Sequence, residues 1–296
     1  MKTILTGSNG FFGKIIRDHL LLGELLTVGR HNANIICDFS RFIPSLVPVD
    51  LVIHVSGKAH SIPKSISDKQ DFFNVNVRGT SNLLKGLEKS GIPKSFVFIS
   101  SVAVYGVEYG NLINENANLL AKDPYGLSKI EAENLVLNWC DNNKVICTIL
   151  RLPLIVGSNP PGNLGSMIKG IQKGYYFNIE GGKAKKSMVL GEDVARIILK
   201  ASKVGGIYNL SDGYHPSFLE LSNQISIQLG QSKPKNIPFW LAKIVAKFGD
   251  LFGNYVPLNT NKLKKITSDL TFDDSKAREA FGWNPTPVLE RFIINE

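Results

Sequence analysis

A doubly wound, parallel α/β sheet is the fold class predicted by this sequence, and three observations carry the prediction. Lys2–Thr6 reads as a short apolar strand, followed at once by Gly7-Ser-Asn-Gly10-Phe-Phe-Gly13 and a helical stretch from Lys14 to Leu22. Apolar strands then alternate with helical patterns through the first half, as a sheet covered by helices requires. After Arg151 the texture changes to short helices, brief strands and the loop Gly157-Ser-Asn-Pro-Pro-Gly162, which predicts a smaller lobe built against the carboxyl edge of the sheet.

The expected strands are Lys2–Thr6, Leu25–Val28, Ile35–Cys37, Leu51–His54, Ser95–Ser100 and Val145–Leu150. Several are apolar on both faces, the pattern of a buried parallel sheet. Asp71–Lys89 and Tyr125–Cys140 read as helices, punctuated by Gly91-Ile-Pro93 and Asp123-Pro124. Beyond Arg151, helices are expected over Leu164–Gln172, Glu192–Ser202 and Ser217–Leu229, with strands at Ser187–Leu190 and Ile207–Leu210. The predicted division is residues 1–155 for the sheet and its helices, and 156–296 mainly for the lobe, with some segments returning to the sheet. Trp240, Leu241, Ile244, Val245, Phe248, Leu251 and Phe252 fall on one helical face, with Lys243 and Lys247 elsewhere. A membrane-surface helix would look like this. So would an amphipathic helix packed on the lobe, and Gly249 and Asp250, which interrupt the pattern, favour the second reading.

Composition narrows the class. The 296 residues, 43% of them hydrophobic, suffice for a large core. Cys37, Cys140 and Cys147 show no paired-ligand spacing, so no metal is expected, and a reduced, cytoplasmic location fits. No apolar run precedes the first glycine and none approaches a membrane-spanning length, so neither a secretory signal nor membrane insertion is expected. The net charge of +9 comes from scattered residues, 34 basic against 25 acidic. That argues for a solvated surface and a pocket for phosphate-bearing ligands, with no nucleic-acid partner.

Strand, glycine-spaced turn and helix N-terminus are how an α/β protein receives a dinucleotide pyrophosphate. Gly7 takes the tight turn, Gly10 admits the phosphates, and Gly13 lets the helix sit close to the strand. Free N–H groups and the helix dipole then face the anion. Downstream, Tyr125 and Lys129 in Asp123-Pro-Tyr-Gly-Leu-Ser-Lys129 lie one helical turn apart on one face. An ammonium beside a phenol lowers its pKa and makes it useful in acid–base chemistry. Ser100 and Ser101 put two hydroxyls at the end of the strand in Phe96-Val-Phe-Ile-Ser-Ser-Val-Ala-Val-Tyr-Gly106, where a strand-end cap is the plainer reading of either alone. Turn, tyrosine–lysine pair and hydroxyls would all converge on the crevice at the carboxyl edge of a Rossmann-type sheet.

With these motifs the chain resembles the extended short-chain dehydrogenase/reductases, the NAD-dependent nucleotide-sugar epimerases, dehydratases and reductases, from Gly7 to about Pro285. The resemblance implies that Tyr125 is the catalytic acid/base, that Lys129 lowers its pKa and bonds the nicotinamide ribose, and that Ser101, with Ser100 beside it, orients the substrate oxygen. It implies cofactor contacts at Gly7, Gly10, Phe11, Phe12, Gly13, Asp38, Val55, Ser56, Gly57, Lys129 and Pro153. Asn76, in Asn74-Val-Asn-Val-Arg-Gly-Thr80, would buttress that site. Asn163 and Leu164 resemble the pair that contacts a sugar nucleotide, and Lys186 stands where a phosphate-binding arginine is usual, which favours a UDP-linked substrate. Phe272-Asp-Asp-Ser-Lys-Ala-Arg278 and Gly282-Trp-Asn-Pro285 resemble the closing segment of nucleotide-sugar members. A homodimer pairing the two long helices and a place in surface-polysaccharide precursor synthesis are further implications.

Three departures refine the expectation. The acidic residue that usually ends the second strand is replaced by Gly29, followed by Arg30 and His31, which favours the 2′-phosphate of NADP(H) while leaving NAD(H) open. Arg151-Leu-Pro-Leu154 has leucine where some epimerases carry a substrate-contacting asparagine, and Lys186 lacks the arginine fork. Ser101-Val-Ala replaces the Thr-Asp-Glu of 4,6-dehydratases, which disfavours dehydration. The expected reaction is hydride transfer at sugar C4, with reduction of a UDP-4-keto-6-deoxy-hexose(amine) favoured. The alternatives are a UDP-hexose(amine) 4-epimerase retaining NAD and, in a different class, a non-catalytic NADP-sensing binding protein.

Overall fold

The computed structural model describes residues 1–20, 23–59, 63–252 and 258–294, with the Phe252 side chain excluded. Its centre is a seven-stranded, wholly parallel sheet. The strands are β1 (Lys2–Thr6), β2 (Glu24–Gly29), β3 (Ile35–Ile36), β4 (Leu51–His54), β5 (Ser95–Ser101), β6 (Ile146–Leu152) and β7 (Gly206–Asn209), in the order 3-2-1-4-5-6-7. The order reverses between β1 and β4, and a crevice opens there beyond the strand ends. Adjacent residues of one strand serve opposite cores. Leu5, Ile53 and Val97 pack beneath α1 (Phe11–His19), while Ile4, Val52 and Phe96 pack on the other face. Burial on both faces accounts for the continuous apolar runs of these strands.

α1 begins three residues earlier than expected because Gly10 already serves as its N-cap; the end of the predicted stretch, residues 21–22, lies outside the described residues. The expected single helix over Asp71–Lys89 is two helices, α2 (Ile66–Phe73) and α3 (Gly79–Ser90), joined by a π-helical turn over Asn74–Arg78. Ser65 and Asp68 form a reciprocal capping box at the start of α2. The wider turn carries Asn76 inward. Its Oδ1 accepts from the Lys58 N–H at 2.6 Å, and its Nδ2 donates to the Lys58 carbonyl and to Ser128 Oγ.

α4 (Pro124–Asn143) follows its sequence signals closely. Asp123 caps it by accepting from the Gly126 N–H, Pro124 fills the first position, and Lys144 ends it in the left-handed conformation. After β6, the expected elements appear within two residues of their predicted ends: α5 (Gly162–Gln172), α6 (Gly191–Ala201) and α7 (Phe218–Gln228). Three small parallel pairings were absent from the expectation, and two of them join residues far apart in sequence. Gly110–Ile113 lies beside Leu270–Phe272, and Asn178–Ile179 beside Asn236–Ile237. The closing segment is structural: Trp283 donates its indole N–H to the Ser211 carbonyl and to Asp274, while Arg278 grips Asp274 through two bonds.

α8 (Phe239–Phe252) departs from expectation. Its buried face is Ala242, Ala246 and Gly249, while Trp240, Leu241, Ile244, Val245, Phe248 and Leu251 are exposed. The helix packs on α9 (Thr260–Thr267) through its small residues. A Cβ at Gly249 would sit 1.9 Å from the Leu258 carbonyl oxygen, so the backbones approach too closely for a large side chain to be turned inward.

Candidate active site

A cavity of about 980 Å³ runs along the carboxyl edge of the sheet, from the β2 end to α4. Its floor is the glycine turn. Gly7 has φ +71°, and a Cβ there would lie 2.8 Å from the Ser56 N. A Cβ at Gly13 would fall 2.0 Å from the Gly7 carbonyl oxygen, so only glycine lets the helix seat on the turn. No side chain caps α1, and its first turn holds no acidic residue, so its N–H groups and positive end face the cavity unopposed. Ser8 adds a buried hydroxyl without a hydrogen-bond partner among the described residues. These features fit a dinucleotide diphosphate.

Beside the turn, His54 is enclosed between two threonines. Thr80 Oγ1 donates to the Asn76 carbonyl, so it accepts from His54 Nε2, and His54 Nδ1 is left to accept from Thr6 Oγ1 at 2.6 Å. Thr6 Oγ1 in turn accepts from the Val55 and Ser56 N–H groups, fixing the segment that walls the cavity. Burial pushes His54 down to about 3, with the charge of Lys129 adding to it, so the ring is neutral.

At the far end, Ser100, Ser101, Tyr125 and Lys129 line the cavity together. The two serines have different duties. Ser100 donates to Glu133 Oε1, so its hydroxyl is already committed. Ser101 accepts from the Ala103 N–H at 3.2 Å, the capping role, and turns its own O–H to the Tyr125 phenol in the cavity. Lys129 is 5% exposed; its Nζ donates to the Ile99 carbonyl at 2.7 Å and lies 4.0 Å from the centre of the Phe98 ring. Burial brings it down to about 7, against the opposing charge of Glu133.

The expectation that Lys129 holds Tyr125 below its ordinary range is not met in this state. Burial pushes the phenol up, a hydrogen bond from Ser101 opposes the shift, and Asp123 adds to it. Lys129 is turned to the Ile99 carbonyl and is not among the causes of the shift. The raised phenol stays protonated, which suits a proton donor.

Behind this end lies a buried network that sequence reasoning missed. Arg151 forks onto Glu133, with Nη2 2.7 Å from Oε2, and bonds the Tyr105 hydroxyl, which donates to Asn209. Glu133 continues the ladder of Tyr125 and Lys129 by one more helical turn, and that spacing was its available signal.

At the opposite end, Gly29, Arg30, His31, Asp38, Arg41 and Arg78 line the cavity. Asp38 accepts from the Ser40 N–H and hydroxyl at 3.0 and 2.7 Å, and Arg41 lies 3.9 Å away. Arg30 and Arg78 have no carboxylate partner among the described residues. Phe11, Phe12, Gly10, Val55, Ser56, Gly57 and Pro153 also line the cavity, as expected of cofactor contacts, whereas Asn76 lies behind it. Three expected substrate contacts are not in its wall. Leu164 is buried in the core of the lobe, Asn163 is exposed on α5, and Lys186 donates to the Ser268 carbonyl at 2.8 Å.

Comparison with known proteins fits this architecture. Over 97% of its length the chain is 28% identical to a UDP-glucose 4-epimerase of Vibrio cholerae, covering 92% of that protein. It is also 28% identical to the N-acetyl-alpha-D-glucosaminyl-diphospho-ditrans,octacis-undecaprenol 4-epimerase of Escherichia coli O157:H7, over 73% of this chain and 68% of that one. With a GDP-6-deoxy-D-mannose reductase of Pseudomonas aeruginosa it shares 27% identity, over 74% and 77%. Solved structures with the same fold include MoeE5 in complex with UDP-glucose and NAD, at TM-score 0.76, 19% identity and 98% and 95% coverage. RMD from Pseudomonas aeruginosa complexed with NADPH superposes at 0.70, with 20% identity over 99% and 96%. The model of the NAD dependent epimerase/dehydratase family matches residues 3–211, and the chain belongs to that nicotinamide-dinucleotide-dependent family of nucleotide-sugar epimerases, reductases and dehydratases.

Proposed function

We propose that the protein is an NADP(H)-dependent 4-ketoreductase acting on a UDP-linked 4-keto-6-deoxy-hexose or hexosamine. The observation that carries this reading is the β2 end of the cavity, where Gly29 replaces a carboxylate and Arg30 stands beside Arg41 and Arg78. A ribose 2′-hydroxyl asks for an acceptor, whereas a 2′-phosphate asks for guanidinium groups. Space does not explain the missing carboxylate, since a Cβ on Gly29 would meet nothing nearer than 3.8 Å.

A reduced nicotinamide bound in this cavity would supply the hydride for the C4 carbonyl carbon. Tyr125 gives its phenolic proton to the carbonyl oxygen as the C=O π pair moves onto it, leaving a C4 hydroxyl and a phenolate. Ser101 donates a hydrogen bond to the same oxygen, and Lys129 supports the phenolate until solvent returns the proton. Lys129, whose Nζ lies at the Ile99 carbonyl in the cavity wall, would be the residue to bond the nicotinamide ribose.

A 4-epimerase retaining NAD is the second reading, favoured by the 4-epimerases among the relatives, those of Vibrio cholerae, Escherichia coli and Bacillus subtilis included. Following 340 nm absorbance with NADPH and a UDP-4-keto-6-deoxy-hexosamine separates the two. Stoichiometric loss of absorbance supports the reductase. Tightly retained NAD, no net oxidation and interconversion of two UDP-hexoses would replace it with the epimerase. A protein that binds NADPH but turns over neither substrate class would be the non-catalytic sensor.

A further inference from the structure

α8 is inside out for a helix of a soluble lobe. At about 100° per residue, Ala242, Ala246 and Gly249 occupy one narrow arc against α9. Trp240, Leu251, Ile244, Phe248, Leu241 and Val245 occupy the opposite arc. Trp240 is 64% exposed, Phe248 56% and Leu251 79%. Six neighbouring large apolar side chains held in water on 14 residues cost free energy that a scattered exposed leucine does not.

The flank of the apolar arc is cationic. Lys243 and Lys247 lie between Trp240 and the buried face, one turn apart, and neither has a carboxylate partner among the described residues. The one acidic residue of α8, Asp250, is engaged by the Thr260 N–H and hydroxyl. On α9, which packs on the opposite face, Lys265 is paired with Glu108 at 3.0 Å, while Lys233 and Lys235 precede α8 in the sequence. A second copy of the same face would bring lysine flanks together without acidic groups to receive them. An anionic lipid surface takes both features at once: the apolar arc enters the boundary between headgroups and acyl chains while the lysines meet lipid phosphates.

We propose that α8 docks the protein peripherally on an anionic membrane surface, lying in the plane of the interface. The proposal goes beyond the reaction and does not depend on it. No helix among the described residues is long and apolar enough to cross a membrane, so the contact is with one leaflet.

The test is flotation of the full-length protein with phosphatidylcholine vesicles and with vesicles that also contain phosphatidylglycerol. Binding is expected to the anionic vesicles and to weaken as salt is raised. Lys243→Glu with Lys247→Glu should reduce partitioning about tenfold or more, and Trp240→Ser with Phe248→Ser should abolish it. Circular dichroism and NADPH binding confirm the fold of each variant, since neither pair touches the cavity. No flotation of the parent protein overturns the proposal, as does flotation that survives both double substitutions. A dimer in sedimentation velocity that Trp240→Ser with Phe248→Ser disperses, with no vesicle binding, would instead assign the face to a second copy.

Discussion

The two ends of the cavity are built on opposite principles. At the α4 end almost every polar group is spoken for: Ser100 by Glu133, Glu133 by Arg151, Arg151 by Tyr105, Lys129 by the Ile99 carbonyl. What remains to face the cavity is the Ser101 hydroxyl and the Tyr125 phenol, bonded to each other. At the β2 end, Arg30 and Arg78 are exposed and have no ion-pair partner among the described residues. A buried, saturated network holds a geometry, since moving any member strands another in a low dielectric. Exposed cations hold a charge without holding a position, and one substitution there changes which anion is preferred. Reaction geometry is therefore expected to be brittle, and cofactor choice adjustable.

The sharpest break of the α4 end is Tyr125→Phe, which removes only the hydroxyl proposed as the proton donor. Turnover with the keto-sugar should fall about 10²–10⁴-fold while NADPH binding, followed by fluorescence titration, stays near that of the parent. Turnover within threefold of the parent would move the proton to another group. Glu133→Gln tests the network behind it. Arg151, 3% exposed, would keep its charge and lose its counter-ion, so denaturant unfolding should show a loss of about 3–5 kcal/mol. A loss below 1 kcal/mol would mean that this end is less tightly coupled than its hydrogen bonds imply.

His54 extends the comparison to pH. Its folded pKa of about 3 lies below the ordinary value of 6.5, so the unfolded chain takes up the proton first. The stability it contributes is complete above pH 6.5 and is lost as pH falls toward 3. By pH 4.5 the loss is about 2–3 kcal/mol, readable as a falling urea midpoint. His54→Gln should flatten that fall; an unchanged pH profile in the variant would assign the acid sensitivity to other groups.

The sheet and the glycine turn were legible because their signals are local: alternation of strand and helix, the Gly7, Gly10 and Gly13 spacing, and the Asp123-Pro124 cap all act within a few residues. The strand pairings of Gly110–Ile113 with Leu270–Phe272 and Asn178–Ile179 with Asn236–Ile237 were illegible for the converse reason, since neither partner announces the other across the intervening chain. α8 shows a subtler limit. Its apolar arc was plain in the sequence, but periodicity says which residues share a face and not which face meets the protein. That was decided by Ala242, Ala246 and Gly249, whose small size admits α9. At the site, Tyr125, Lys129 and Ser101 could be named from their motifs. The division of labour between Ser100 and Ser101 needed the position of Glu133 and the Ala103 N–H.

The smallest expected effect falls at the adjustable end, and it decides whether that end has the function proposed. Arg30→Ala removes one guanidinium from a solvent-exposed cluster in which Arg41 and Arg78 remain, so KM for NADPH should rise about tenfold with kcat and the KM for NADH little changed. Gly29→Asp on that background supplies the missing carboxylate where a Cβ has ordinary contact distances. It should repel a 2′-phosphate and accept from a 2′-hydroxyl, carrying the preference to NADH. If both variants keep the parent's NADPH-to-NADH ratio, the arginines are solvent-facing bystanders and the argument from Gly29 fails. The Tyr125 and Glu133 predictions would stand, because nothing at the α4 end reads the 2′ position.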